Sequence, residues 1–138
     1  RLDGEGVSVD HDNNMEEQHV DRVDGGFTED AFVDYAAMGG AVGGGAENKA
    51  DVKKALRAFG ASQHMISNQQ IKLAGDTATG RVMCFNPMRL GQGAQAVPVF
   101  FLGFWYVDEY VRTPAGWRIC RRAEEKSWAF NAPPSVGL

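Results

Sequence analysis

Gly103-Phe-Trp-Tyr-Val-Asp-Glu-Tyr-Val-Arg112, followed by Thr-Pro-Ala-Gly-Trp117-Arg-Ile-Cys-Arg-Arg122, reads as two long strands joined by a tight turn. Pro114 and Gly116 supply the turn, and runs rich in aromatic and β-branched residues flank it, which is the composition of a hairpin. By period two, Phe104, Tyr106, Asp108 and Tyr110 share one face, and Trp105, Val107, Glu109 and Val111 share the other. Neither face is plainly polar, so both are expected to be covered. One of them also carries a carboxylate and two phenols, which points to a lined cavity within the core.

Working outward, residues from Gln63 onward read as almost continuous strand. His64 to Leu73 leads into Gly75-Asp76, a strong hairpin signal. Thr77 to Asn86 is the next strand, interrupted by Pro87, and Val97 to Arg112 and Trp117 to Phe130 complete a meander of four long strands. Upstream the pattern changes. Residues 1–14 are polar and punctuated by glycine. Met15 to Asp24 is expected to be a helix ended by Gly25-Gly26. Ala31-Phe-Val-Asp-Tyr35 is expected to be a short strand, followed by a glycine-rich loop or lid over residues 38–45. Asn48 then caps a helix from Lys49 to about Gly60, with Val52, Leu56 and Phe59 at helical spacing. The plan is α+β, with helices covering one face of a curved antiparallel sheet.

With 138 residues, the chain is long enough for one domain with a real core. No apolar run approaches the ~20 residues of a membrane span, and no signal-peptide pattern is visible. A cytoplasmic protein with no membrane partner is expected. The net charge of −4 argues against a nucleic-acid partner, because phosphate binding requires a basic footprint. Arg112, Arg118, Arg121 and Arg122 cluster, but alternating facing makes them mostly surface charges. Cys84 and Cys120 lie within strands and read as small buried residues of a reducing compartment. The glycine run matches neither phosphate-loop pattern. There is no H-x-x-x-H, C-x-x-C or G-x-S-x-G, so neither a metal nor a cofactor is expected.

Several segments together resemble the SnoaL-like branch of the nuclear-transport-factor-2-like superfamily. They are Phe27-Thr-Glu-Asp-Ala31, His64-Met-Ile-Ser-Asn68, Gly75-Asp-Thr-Ala78 and Tyr106-Val-Asp-Glu-Tyr110 followed by Gly116-Trp-Arg-Ile119. They cover roughly residues 27–130. The resemblance implies a single domain over 1–138: a cone-shaped, strongly curved antiparallel sheet wrapped around helices and enclosing an apolar pocket. It also implies that the usual first helix is shortened or absent before Arg1-Leu2-Asp3. The branch includes scytalone-dehydratase-like enzymes, polyketide cyclases and hexachlorocyclohexane-dehydrochlorinase-type lyases. The dehydrochlorinase type is the nearest in detail. Its catalytic His, four residues before an Asn, is matched by His64 and Asn68; its Asp-Glu-Tyr-Val strand by Asp108 to Val111; and its Arg by Arg122. The Asp paired with its His corresponds to Asp3 or Asp10.

Such chemistry removes a proton from carbon and expels a leaving group. Histidine suits the base because its ordinary pKa of ~6.5 leaves it largely neutral at pH 7. A carboxylate, Asp3 or Asp10, would fix its tautomer, and Arg122 would hold developing negative charge. Asp108 is a second acid–base candidate, or else the partner of Arg112 or Arg121 across the sheet. Tyr35, Met38, Asn68, Cys84, Tyr106, Tyr110 and Trp128 are candidates to contact substrate. The implied function is a cofactor-independent lyase or isomerase acting on a small apolar, cyclic molecule. The alternatives are a non-catalytic binder of the same fold and an assembly subunit like the small subunits of ring-hydroxylating dioxygenases. The apolar sheet face with Trp105, Val107 and Val111 further implies a homodimer or homotrimer.

Overall fold

The computed structural model describes residues 26–44, 59–91 and 93–138. Strand β1 is Phe27–Asp34, β2 Val42–Gly44, β3 Phe59–Ser62, β4 Met65–Ala74, β5 Thr77–Leu90, β6 Phe100–Thr113 and β7 Gly116–Phe130. They form one curled, seven-stranded sheet in the order β2-β1-β7-β6-β5-β3, with β4 also paired to β5. The sheet is a half-barrel, in keeping with the expected cone. It is mixed, not purely antiparallel, because β1 runs parallel to β7. The expected helix over 15–24 lies outside the described residues, as do the wrapping of the sheet around helices and the pocket.

The expected meander is present as β4 to β7. Gly75 turns the first hairpin with φ +66, the left-handed value that opens a two-residue turn led by glycine, and Ala74 pairs directly with Thr77. At the second hairpin Gly116 takes φ +105, and Thr113 Oγ1 donates to its carbonyl at 2.7 Å. Strand alternation is strict on β5, where Ala78, Gly80, Val82, Cys84, Asn86 and Met88 are buried and the residues between them are not. On β6, Leu102, Phe104, Tyr106, Asp108 and Tyr110 are buried. These positions define the inner face.

Three local expectations change. Phe59 and Gly60 belong to β3, against the expectation of a helix to about Gly60; the rest of that expected helix, over 49–58, lies outside the described residues. Val42–Gly44, expected within a loop or lid, forms β2 and pairs with β1 across a 3-10 turn at Ala36–Met38. Pro87 does not end its strand; β5 runs on to Leu90. The Pro87 carbonyl accepts from Gln63 N at 3.0 Å, so the missing N–H faces the gap between β3 and β4, where the ladder is already broken.

Bulges set which side chains face inward. Glu109 pairs with Arg121 and Tyr110 with Ile119, leaving Cys120 as the extra residue of a bulge on β7. Unbroken alternation from Trp117 would bury Arg121. The bulge shifts the phase and buries Arg122 instead.

Two apolar clusters fill the inner face. One gathers Met38, Val82, Cys84, Phe100, Phe104 and Tyr106 among others, with Tyr35 and Ile66 packed against it; the second gathers Ala78, Tyr110, Trp117 and Ile119. Asp108 lies between them on β6. The opposite face is only partly covered within the chain: Val107 and Glu109 are exposed, against the expectation for both faces. Phe85 stacks on Phe101 there, with centroids 5.8 Å apart, and also meets Trp128. Among the described residues, no helix is long and apolar enough to cross a membrane.

Candidate active site

His64 sits in the two-residue gap between β3 and β4. Because Met65 pairs with Phe85, residue 64 falls opposite Asn86, on the inner face. Its Nε2 lies 3.1 Å from Asn86 Nδ2. An amide nitrogen only donates, so a neutral His64 accepts at Nε2 and carries its proton on Nδ1. Asn86 is 4% exposed. Its Oδ1 is buried and has no hydrogen-bond partner among the described residues. A buried acceptor left in that state costs roughly 1–3 kcal/mol.

The second polar group is built across β6 and β7, where Asp108 and Arg122 are directly paired. Arg122 Nε donates to Asp108 Oδ1 at 2.8 Å and Nη2 to Oδ2 at 2.8 Å, a bidentate fork. Tyr110 Oη donates to Oδ2 at 3.0 Å. Both charged side chains are fully buried. The guanidinium also lies 4.0 Å over the Tyr106 ring, a close cation–π contact. Asp108 therefore pairs with Arg122 and not with Arg112 or Arg121, whose acidic neighbours are Asp76 and Glu109 at the surface. Three hydrogen bonds, two from Arg122 and one from Tyr110, thus engage both carboxylate oxygens of Asp108.

The inner face carries both groups but at different levels. Asn86 pairs with Leu102 and Gly80 with Asp108, which separates the two by about 20 Å along the strands. Cys84, Tyr106 and Tyr110 lie on the same face between or beside them, and Tyr35 and Met38 close one end of it. Asn68 and Trp128 lie elsewhere. Asn68 is exposed, with φ +52, at an irregularity in β4. Trp128 is 45% exposed on the outer face, its indole over Gly103. Asp3 and Asp10 are outside the described residues.

Two inner-face groups were not singled out from sequence. Asn86 is a polar residue in the alternation Val82, Cys84, Asn86, Met88, and that break in an apolar face was the available signal. Glu124 faces inward opposite Tyr106, a position readable only once the Cys120 bulge is known. On the outer side, the Cys120 thiol is held above its ordinary pKa, first by burial and then by the nearby Glu109 carboxylate. Among the described residues, no three His, Cys, Asp or Glu side chains converge as a metal site.

A curled mixed sheet that forms a half-barrel is the framework of the cone-shaped α+β proteins. The chain belongs to the SnoaL-like domain family, whose profile matches residues 12–123. An uncharacterized protein of Mycobacterium tuberculosis is 41% identical over 126 residues, covering 91% of this chain and 84% of that one. Among solved structures, the Kfla4162 protein of Kribbella flavida superposes with a TM-score of 0.83 at 17% identity, over 93% of this chain and 90% of that one. A candidate scytalone dehydratase of Novosphingobium aromaticivorans gives 0.75 at 21% identity, over 94% and 85%. The hexachlorocyclohexane dehydrochlorinase LinA-type3 of Novosphingobium barchaimii gives 0.74 at 16% identity, over 93% and 90%. At these identities the structural likeness speaks to the fold.

Proposed function

We propose that this protein is a small cofactor-independent lyase or isomerase acting on a small apolar, cyclic substrate, with His64 as its base. The observation that carries the reading is the half-buried His64 ring, held by Asn86 on the inner face of the sheet. Membership of the SnoaL-like family supports it, as do dehydratase and dehydrochlorinase names among proteins of the same fold. As substrate enters, it takes the place of the Asn86 NH2 at His64 Nε2, which then takes a proton from a substrate carbon. The C–H electron pair becomes a new π bond, and the leaving group departs with its own bonding pair; in an isomerisation the proton returns to a different atom. Asp3 or Asp10 is the proposed partner of Nδ1, stabilising the imidazolium that forms. Arg122 and Asp108, locked to each other, contribute a fixed and nearly neutral dipole, with Tyr106 and Cys84 forming apolar wall. We place the protein in the cytoplasm as a homodimer or homotrimer.

His64→Ala is expected to lower turnover of hydroxylated or halogenated cyclic substrates by at least about 100-fold while leaving the protein folded. Unchanged turnover overturns the reading. A second reading, a non-catalytic binder or assembly subunit of the same fold, draws support from the bidentate pairing of Arg122 with Asp108. Binding of cyclic ligands with no product formed would favour it.

A further inference from the structure

Asn86 is a polar side chain in an apolar setting. Cys84 and Met88 flank it on the inner face of β5, and Leu102 stands across from it on β6. Its carboxamide has two different ends, an NH2 that donates and an oxygen that accepts. The NH2 end meets His64 Nε2 at 3.1 Å. The oxygen end is buried and has no partner among the described residues. Turned over, the amide would leave its NH2 end unmet, so it is the observed orientation that makes the unmet end an acceptor. In that orientation an acceptor, already desolvated, sits on the same rigid planar group that holds the proposed base.

We propose that Asn86 is a specificity-determining residue whose Oδ1 accepts a hydrogen bond from the substrate, which makes the substrate a hydroxylated ring. This rests on the reading of the His64 site as the substrate site. A ring hydroxyl donates to Oδ1 and meets the acceptor end of the amide, next to the imidazole. A halogen or an ether oxygen at the same place sets lone pair against lone pair and leaves the acceptor unmet. Discrimination comes from the bond that the wrong substrate cannot make.

The test uses a matched pair of bicyclic probes, 2-naphthol and 2-methoxynaphthalene, titrated calorimetrically into the full chain and into Asn86→Leu. The wild type is expected to bind the naphthol roughly tenfold or more tightly than the ether, the worth of one good hydrogen bond. In Asn86→Leu the two affinities are expected to converge within about twofold, by loss of naphthol binding alone. Should that variant fail to fold, Asn86→Asp, which keeps the acceptor, is expected to retain the preference. In the wild type, the Asn86 side-chain amide resonances are expected to shift with naphthol and not with ether. Equal wild-type affinities, a preference that survives in Asn86→Leu, or no binding of either probe overturns the proposal. A clear hydroxyl preference without turnover of any ring would sink the lyase reading and leave this inference standing. Turnover of halogenated rings with no hydroxyl preference would do the reverse.

Discussion

Gly80 makes the room that Tyr110 occupies. A Cβ at residue 80 would lie 2.7 Å from Tyr110 Cε2 and 3.1 Å from its hydroxyl, and that hydroxyl is the one donating to Asp108. The ring is buried and anchored at its tip, so it cannot swing aside without breaking the bond. Gly80→Ala is expected to destabilise the fold by about 1–3 kcal/mol through overpacking. In a Tyr110→Leu background the same change should cost clearly less. Urea unfolding of the four proteins measures this, and an equal cost in both backgrounds would contradict it.

The buried and exposed ion pairs should behave very differently. Asp108→Ala strands the Arg122 charge at a fully buried position and is expected to cost about 3–5 kcal/mol. Replacing both partners with apolar residues, Asp108→Leu with Arg122→Met, should cost less than the single change, because no charge is then left unmatched. Glu125→Gln breaks the Arg81–Glu125 pair, whose side chains are 40% and 58% exposed, and should change stability by at most about 1 kcal/mol. Thermal unfolding ranks the three; a double replacement worse than Asp108→Ala would refute the ordering.

Cys120 should be slow to alkylate. Burial, and after it the Glu109 carboxylate, favours the neutral thiol over the thiolate. The thiolate is the nucleophile, so the folded protein should react with iodoacetamide more slowly than free cysteine at pH 8. Its rate should go on climbing with pH after that of free cysteine has levelled. Glu109→Gln removes the second cause and should raise the rate. Mass spectrometry distinguishes Cys120 from the buried Cys84; a profile that levels with the free amino acid would count against the account.

The outer face of the sheet is expected to be where copies of the chain meet. Trp128 and Phe130 are 45% and 64% exposed there, beside the Phe85–Phe101 stack. Light scattering should give a dimer or trimer for the wild type and a monomer for Trp128→Ser/Phe130→Ser. A monomeric wild type would exclude it.

The meander was legible because its signals are local. Alternation along β5 and β6, Gly75-Asp76, and Pro114 with Gly116 each act within a few residues. What escaped depends on phase or on distance along the chain. The Asp108–Arg122 pair was hidden by the bulge at Cys120, since strict alternation hands the inward position to Arg121. Pro87 reads as a strand end unless the break between β3 and β4 is already known to lie beside it. Parallel pairing of β1 with β7 leaves no turn in the sequence to announce it. His64 was found through its resemblance to a family pattern, whereas Asn86, the residue that holds it, belongs to no motif and is defined only by register.

The pairing of β1 with β7 also sets an order of events during synthesis. Phe27–Asp34 leaves the ribosome among the first of the described strands, yet its long partner includes Ile119 and Arg121 to Ala123. Until those residues emerge, β1 has, among the described strands, only the three-residue β2 beside it. The consecutive strands β4 to β7 can zip in turn as they appear, while β1 must wait for β7 with that edge of its ladder unpaired by any described strand. A nascent protein stalled short of Ile119 would therefore display that edge to its neighbours, and the last of the described strands to be made is also the one that pairs with the first.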